Sequence, residues 1–230
     1  MSDKITNYYE KLPKELKREN KLNKTFKNHH ILPTSMIAVL GGTGSGKSNA
    51  ITDFIHRSSG TWFQIIIFNP VSTDEPLLNM LKQKCSDIEL ITDINELPAL
   101  SESEEDKDQQ KLIIFDDIIN MNKKDFKKIN EYFTGGRKSG WTVICMAQNY
   151  TSLPKIVTIN CQYFIVFKLN DNTTIANNIR NHNINNIDKE KFRNLYDDDA
   201  TSEPLSFFMI DLKSKEVGSG LRKGFLNFYE

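Results

Sequence analysis

A chain of 230 residues has room for one α/β domain with short arms and little more. Hydrophobic residues make up 38% and charged residues 26%, enough for a packed core, which excludes wholesale disorder. The 30 Lys and Arg balance the 30 Asp and Glu, which excludes the strongly basic field of many nucleic-acid binders but leaves room for a local basic patch.

Residues 1–30 are polar, lysine-rich and poor in periodic apolar positions. They read as an arm carrying one short helix near Lys14–Lys21, followed by a single domain over residues 31–230. From Ser35 the pattern changes. SMIAVL is a short run of strand formers, GGTGSGKS follows at once, and Ala50, Ile51, Phe54 and Ile55 then repeat at helical spacing. The order is strand, glycine loop, helix. WFQIIIFNP reads as a buried strand stopped at Asn69-Pro70, EPLLNMLKQKC as a helix and IELIT as a short strand. SESEEDKDQQ is an acidic loop. KLIIFDD is another buried strand, ending in two carboxylates, and KKDFKKINEYFTGGRKSG an amphipathic helix stopped by Gly135-Gly136. WTVICMAQNY and CQYFIVFKL are two more apolar strands. DNTTIANNIRN and DKEKFRNLYDDD look helical, and LSFFMIDLKSKEVGSGLRKGF looks like one or two antiparallel strands with a Gly-Ser-Gly turn.

Apolar strands alternating with helices predict a mostly parallel sheet covered on both faces, with an antiparallel hairpin at the C-terminal end. No apolar run approaches the roughly 18 residues of a membrane-spanning helix, and the first twenty residues lack the apolar region of a secretory signal. Cys85, Cys145 and Cys161 lie far apart without zinc-ligand spacing. They read as reduced thiols inside a cell, Cys145 as core filler. Asn and Ile each make up about one residue in ten, a bias that an AT-rich genome produces.

Residues 41–48 match G-x-x-x-x-G-K-S/T. Glycines let backbone N–H groups converge on phosphate oxygens, and the N-terminus of the following helix adds partial positive charge. Gly42, Thr43, Gly44, Ser45, Gly46, Lys47, Ser48 and Asn49 are the candidate nucleotide-binding residues. Lys47 is placed to reach the β- and γ-phosphates, and the Ser48 hydroxyl to ligate Mg²⁺.

Asp116 and Asp117 end a buried strand at the edge where open α/β sheets bind ligands. A phosphate-loop enzyme needs a carboxylate there to hold Mg²⁺, which fits Asp116, and a second to polarise water, which fits Asp117. The plainer alternative is an N-cap for the next helix. Gln148 ends WTVICMAQNY at the same edge, where it senses a γ-phosphate, orients water or merely begins a loop. Arg137 and Lys138 sit in the turn before that strand, at the opposite edge. From there they either face solvent or reach the site of a neighbouring subunit as an arginine finger. Lys123, Lys124, Lys127 and Lys128 read as a solvated helix face rather than a DNA contact. Lys213, Lys215, Arg222 and Lys223 flank the C-terminal hairpin, a geometry that could project into the pore of a ring.

GGTGSGKS, KLIIFDD, the GGRKSG turn and WTVICMAQNY follow one another as they do in poxvirus-type DNA-packaging ATPases of the FtsK/HerA branch, which the chain resembles over about residues 30–170. The resemblance implies a RecA-like core and a homo-oligomeric ring of five or six subunits. It also implies ATP-driven translocation of double-stranded DNA into a preformed viral capsid or its packaging vertex, at assembly sites in the host cytoplasm. Carried over by position, Lys47 and Ser48 would bind phosphate and Mg²⁺, Asp116 would be the Mg²⁺-side carboxylate, and Asp117 the catalytic base. Gln148 would be the sensor and Arg137 the arginine finger. Many members of the wider superfamily carry Glu where Asp117 stands. Two other readings stay open on the residues alone, a small P-loop nucleotide kinase and a non-motor ATP-dependent switch. A kinase would need a lid with clustered arginines, whereas Arg180, Arg193 and Arg222 are scattered.

Overall fold

The computed structural model describes residues 6–13, 23–71, 76–85, 87–100, 109–169, 189–214 and 220–229. The helix expected near Lys14–Lys21, most of the acidic segment 101–110, the segment 171–181 with Arg180, and Lys215 with most of the Gly-Ser-Gly turn lie outside the described residues.

Among the described residues nine strands form one sheet in the order β3-β2-β4-β5-β1-β6-β7-β8-β9. The strands are β1 (Met36–Leu40), β2 (Gln64–Phe68), β3 (Ile88–Ile91), β4 (Lys111–Phe115), β5 (Trp141–Ala147), β6 (Tyr163–Val166), β7 (Phe208–Asp211), β8 (Leu221–Lys223) and β9 (Asn227–Phe228). The first six pair in parallel, and β7, β8 and β9 add antiparallel strands on the β6 side. β1 is inserted between β5 and β6, with Leu40 level with Ala147 and Val166.

Side chains alternate across a strand, so the continuous apolar runs feed two cores. Ile37 and Val39 of β1, Ile65 and Ile67 of β2, and Leu112 and Ile114 of β4 face one side. There they meet Ala50, Ile51, Phe54 and Ile55 of α1 (Lys47–Arg57) and Leu81 of α2 (Pro76–Lys84). Met36, Ala38 and Leu40, with Ile113, Phe115, Val143 and Cys145, face the other. They meet Ile129, Tyr132 and Phe133 of α3 (Lys123–Gly135), Val157 of α4 (Lys155–Asn160) and Phe192 of α5 (Lys189–Asn194). Helices therefore cover both faces, as expected of a parallel sheet.

The α-helix ends at Gly135-Gly136 as expected, and Gly136 keeps right-handed angles to begin a 3₁₀ turn through Ser139, with left-handed backbone at Gly140, φ 80°. Two details depart from the expected elements. α4 lies where no helix was expected. α5 continues into a π-helix over Leu195–Ala200, held where the Tyr196 hydroxyl donates to the Phe167 carbonyl at 2.8 Å and accepts from the Leu169 N–H at 2.9 Å.

Arg222 corrects the reading of the hairpin as a basic projection. It is fully buried. Its guanidinium donates to the carbonyls of His29, His30 and Phe225 at 3.2–3.4 Å and pairs with Asp211 at 3.3 Å. Lys223 pairs with Asp199 at 2.9 Å and Glu203 at 3.6 Å. Residues 23–30 are thereby bound to the domain, helped by reciprocal bonds between Asn28 and Arg57. Burial pushes His29 down to about 4, so it stays neutral beside Arg222 near pH 7. Burial also raises Asp211, against the pull of the Lys213 N–H and the Arg222 charge. Removing one partner of a buried ion pair leaves the other uncompensated, so Arg222→Ala is expected to cost about 3–5 kcal/mol, read as a lowered urea midpoint.

Candidate nucleotide site

The glycine loop turns at the end of β1 because two of its residues need left-handed backbone. Gly44 has φ 75° and Gly46 φ 106°, angles that glycine adopts without steric cost. Two positions are also too crowded for a larger residue: a Cβ on Gly41 would collide with Ser45 Oγ, and one on Gly46 would lie 2.7 Å from Leu205 Cδ2. The Gly41 N–H donates to the Ala147 carbonyl at 3.1 Å, which fixes the loop against the end of β5.

α1 begins at Lys47, and Ala50 is the first residue in it to donate back, to Gly46 at 2.9 Å. The N–H groups of the first turn thus have no partners within the helix, and no acidic residue of that turn offsets their partial charge. Ser45 Oγ is buried without a hydrogen-bond partner among the described residues. The Lys47 ammonium is held over the loop by the carbonyls of Gly41 at 2.6 Å and Gly42 at 3.0 Å. Burial lowers its pKa, and the charges of Asp116 and Asp117 oppose that shift. Loop and acidic strand end are therefore close enough to feel each other.

A cavity of about 590 Å³ joins them. Thr43, Gly44, Ser45, Gly46, Lys47, Ser48 and Asn49 line it, together with Asp116, Asp117 and Gln148. Gly42 is not on its wall and acts instead as an acceptor for Lys47. Asn69, Leu77 and Met146 also line it. Asn69 follows β2, whose position beside β4 was not legible before the strand order was known.

Asp116 is positioned by its N–H, which donates to the Phe68 carbonyl at 2.9 Å. Asp117 has φ 51°, one of four non-glycine residues with positive φ among those described. Its side chain accepts no capping bond from the short turn that follows, and α3 is capped by Asn122, which accepts from Lys124 and Asp125. The N-cap alternative for Asp117 is thereby removed. Aspartate tolerates left-handed backbone better than most residues, and the sharp turn lets two successive carboxylates face one cavity.

Arg137 is not brought to this site. It is exposed on the 3₁₀ turn before β5, while the cavity lies beyond Ala147 at the other end of that strand. Seven residues of strand span about 20 Å. Arg193 pairs with Asp197 at 3.2 Å and Arg222 is buried elsewhere, so no arginine among the described residues lines the cavity.

The donor set fits a nucleoside triphosphate: a glycine-rich backbone cradle, one ammonium, an unpartnered hydroxyl and the free end of a helix. No group of three or more His, Cys, Asp or Glu that could hold a metal occurs among the described residues. Ser48 and Asp116 supply two hard oxygen donors, which suits Mg²⁺, an ion that commonly takes its remaining ligands from water and phosphate.

The family model of the poxvirus A32 protein matches residues 23–197, well over half of the chain. No curated protein matches. Among solved structures, the genome packaging NTPase B204 from Sulfolobus turreted icosahedral virus 2, in complex with AMPPCP, has a TM-score of 0.57 at 17% identity. The match covers 84% of this chain and 97% of that one. EssC (ATPases 2 and 3) from Geobacillus thermodenitrificans has a TM-score of 0.55 at 14% identity, over 85% and 39% of the two chains. The pCW3 conjugation coupling protein TcpA, solved with ATPγS, has a TM-score of 0.53 at 11% identity, over 85% and 60%. At these identities the likeness is one of fold, and it is the fold of P-loop ATPases. Together with the family match over the loop, the acidic strand end and the Gln148 edge, it makes the chain a P-loop ATPase that belongs to the poxvirus A32 protein family.

Proposed function

We propose that the chain is the ATP-hydrolysing motor of a viral genome-packaging apparatus, driving double-stranded DNA into a preformed capsid from a homo-oligomeric ring of five or six subunits. The observation that carries this reading is the division of the catalytic set. Lys47, Ser48, Asp116, Asp117 and Gln148 line one cavity, whereas Arg137 stands a strand length away. A site that no arginine among the described residues lines is completed, in this reading, by a second copy of the chain, which ties turnover to assembly. The name of the B204 structure, a genome packaging NTPase, supports packaging as the work done.

In this reading the first turn of α1 and Lys47 hold the phosphates. Ser48 and Asp116 would hold Mg²⁺, whose charge would offset that of the phosphates. Asp117 accepts a proton from water in line with the γ-phosphate, and Gln148 orients that water. Arg137 of a neighbouring copy meets the charge that develops during transfer. A small kinase is disfavoured because no described arginine reaches the cavity to form a lid over it. Among the described residues no helix is long and apolar enough to cross a membrane. The packaging reading alone puts the work at assembly sites in the host cytoplasm.

The test is the steady-state ATPase rate with Mg²⁺, with and without double-stranded DNA, across protein concentration. The motor reading expects a specific rate that rises with both. A rate indifferent to DNA but dependent on concentration would leave a non-motor ATP switch, and indifference to both would point to a monomeric enzyme.

A further inference from the structure

Leu205 occupies an unusual position. Glu203, Pro204, Leu205 and Ser206 form a turn closed by the Ser206 N–H donating to the Glu203 carbonyl at 3.2 Å, and by the Ser206 hydroxyl donating to the same carbonyl at 2.6 Å. Pro at the second position and positive φ at the third are features of a turn that ordinarily takes Gly or Asn third. Here the third residue is Leu, with φ 64°, and it is 58% exposed. Neither folding nor solubility calls for a strained, exposed leucine at that place.

The side chain is not idle. Leu205 Cδ2 lies 2.7 Å, and the Phe167 ring 3.2 Å, from where a Cβ on Gly46 would be, so both sit against the phosphate loop. The mount is firm. Phe207, on one flank of the turn, packs its ring 5.5 Å from that of Phe167. On the other flank, the Thr201 hydroxyl donates to the Tyr196 carbonyl at 2.8 Å.

Direction then decides what Leu205 would touch. Asp116, Asp117 and Gln148 follow β4 and β5, on one side of β1, while Phe167 and Leu205 lie on the β6 and β7 side. A triphosphate laid along the loop with its γ end at the carboxylates must leave toward β6 with its nucleoside end.

We propose that Leu205, braced by Phe167 beside Gly46, is a positioning residue that packs against the nucleoside of the bound nucleotide. This rests on the nucleotide reading of the loop. An aliphatic side chain offers area but no hydrogen bonds, so the contact holds adenosine and guanosine alike and leaves discrimination between them to other groups.

The test is calorimetric titration of the full chain with ATP, GTP and inorganic tripolyphosphate, each with Mg²⁺. Wild type is compared with Leu205→Gly, Leu205→Met and, as a control for the loop itself, Lys47→Ala. Leu205→Gly, which suits the positive φ and so preserves the turn, is expected to weaken ATP and GTP about tenfold and to leave tripolyphosphate unchanged. Leu205→Met restores ATP binding to within about twofold. Equal losses for tripolyphosphate and ATP would mean that Leu205 only supports the loop, and undiminished ATP binding would mean that it does nothing; either overturns the proposal. ATP binding lost in Lys47→Ala upholds the nucleotide site whatever Leu205 does, whereas ATP binding independent of Lys47 overturns both readings.

Discussion

Lys47→Ala is expected to lower ATP turnover by 10²–10³-fold or more while leaving the melting temperature close to wild type. The first figure follows from removing a preorganised charge in a partly buried site, where such groups are typically worth about that much. The second follows from what Lys47 does in the fold. Its ammonium is held by two loop carbonyls and is not part of either core, so truncation opens no cavity. The measurement is turnover and nucleotide affinity beside a thermal melt. Full activity in a folded Lys47→Ala protein would remove the site assignment altogether, and a collapsed melt would show that the residue serves the fold.

Arg137→Ala is expected to keep ATP affinity near wild type and to lose about 10³-fold or more in turnover, the range found for arginine fingers supplied in trans. The residue is exposed at the far end of β5 from the cavity, so it cannot contribute to binding within its own subunit. The sharper form of the test mixes two inactive proteins. Arg137→Ala retains Asp117 but lends no guanidinium, and Asp117→Asn lends the guanidinium but lacks the base. In an evenly mixed ring about a quarter of the sites pair a sound Asp117 with a neighbour's Arg137, and turnover should recover toward that fraction. Mixed rings that stay inactive would refute the shared site.

The strands were legible because both faces of the sheet are covered, so MIAVL, KLIIF and WTVICMA are buried at every residue and read as nearly continuous apolar runs. α4 was not, because Lys155–Asn160 is only six residues long and is held by packing against α3 and β1 rather than by a periodic face. β9 is two residues of exposed edge, too short for any pattern. At the site, the phosphate loop and the two carboxylates were legible because local spacing and strand ends fix them. Asn69 and Leu77 were not, since their place on the cavity depends on strand order, nor was the packing of Leu205 against Gly46, which a loop far along the chain supplies. Arg222 shows the limit most plainly. Beside Lys223 it reads as a basic tip, yet only tertiary contact with His29, His30 and Asp211 reveals it as interior.

The place of β1 in the sheet also bears on how the protein is born. Among the described residues its strand partners are β5 and β6, and roughly a hundred residues separate Leu40 from Trp141. At ordinary rates of synthesis that gap is about 5–20 s. During that time β2, β3 and β4 can pair among themselves, while MIAVL, the strand that will carry the phosphate loop, has nothing to pair with. The nascent chain therefore completes one edge of its sheet before its centre, and it exposes a sticky apolar segment in the meantime. Nascent chains paused before β5 emerges should therefore bind a general chaperone more than chains paused just after it.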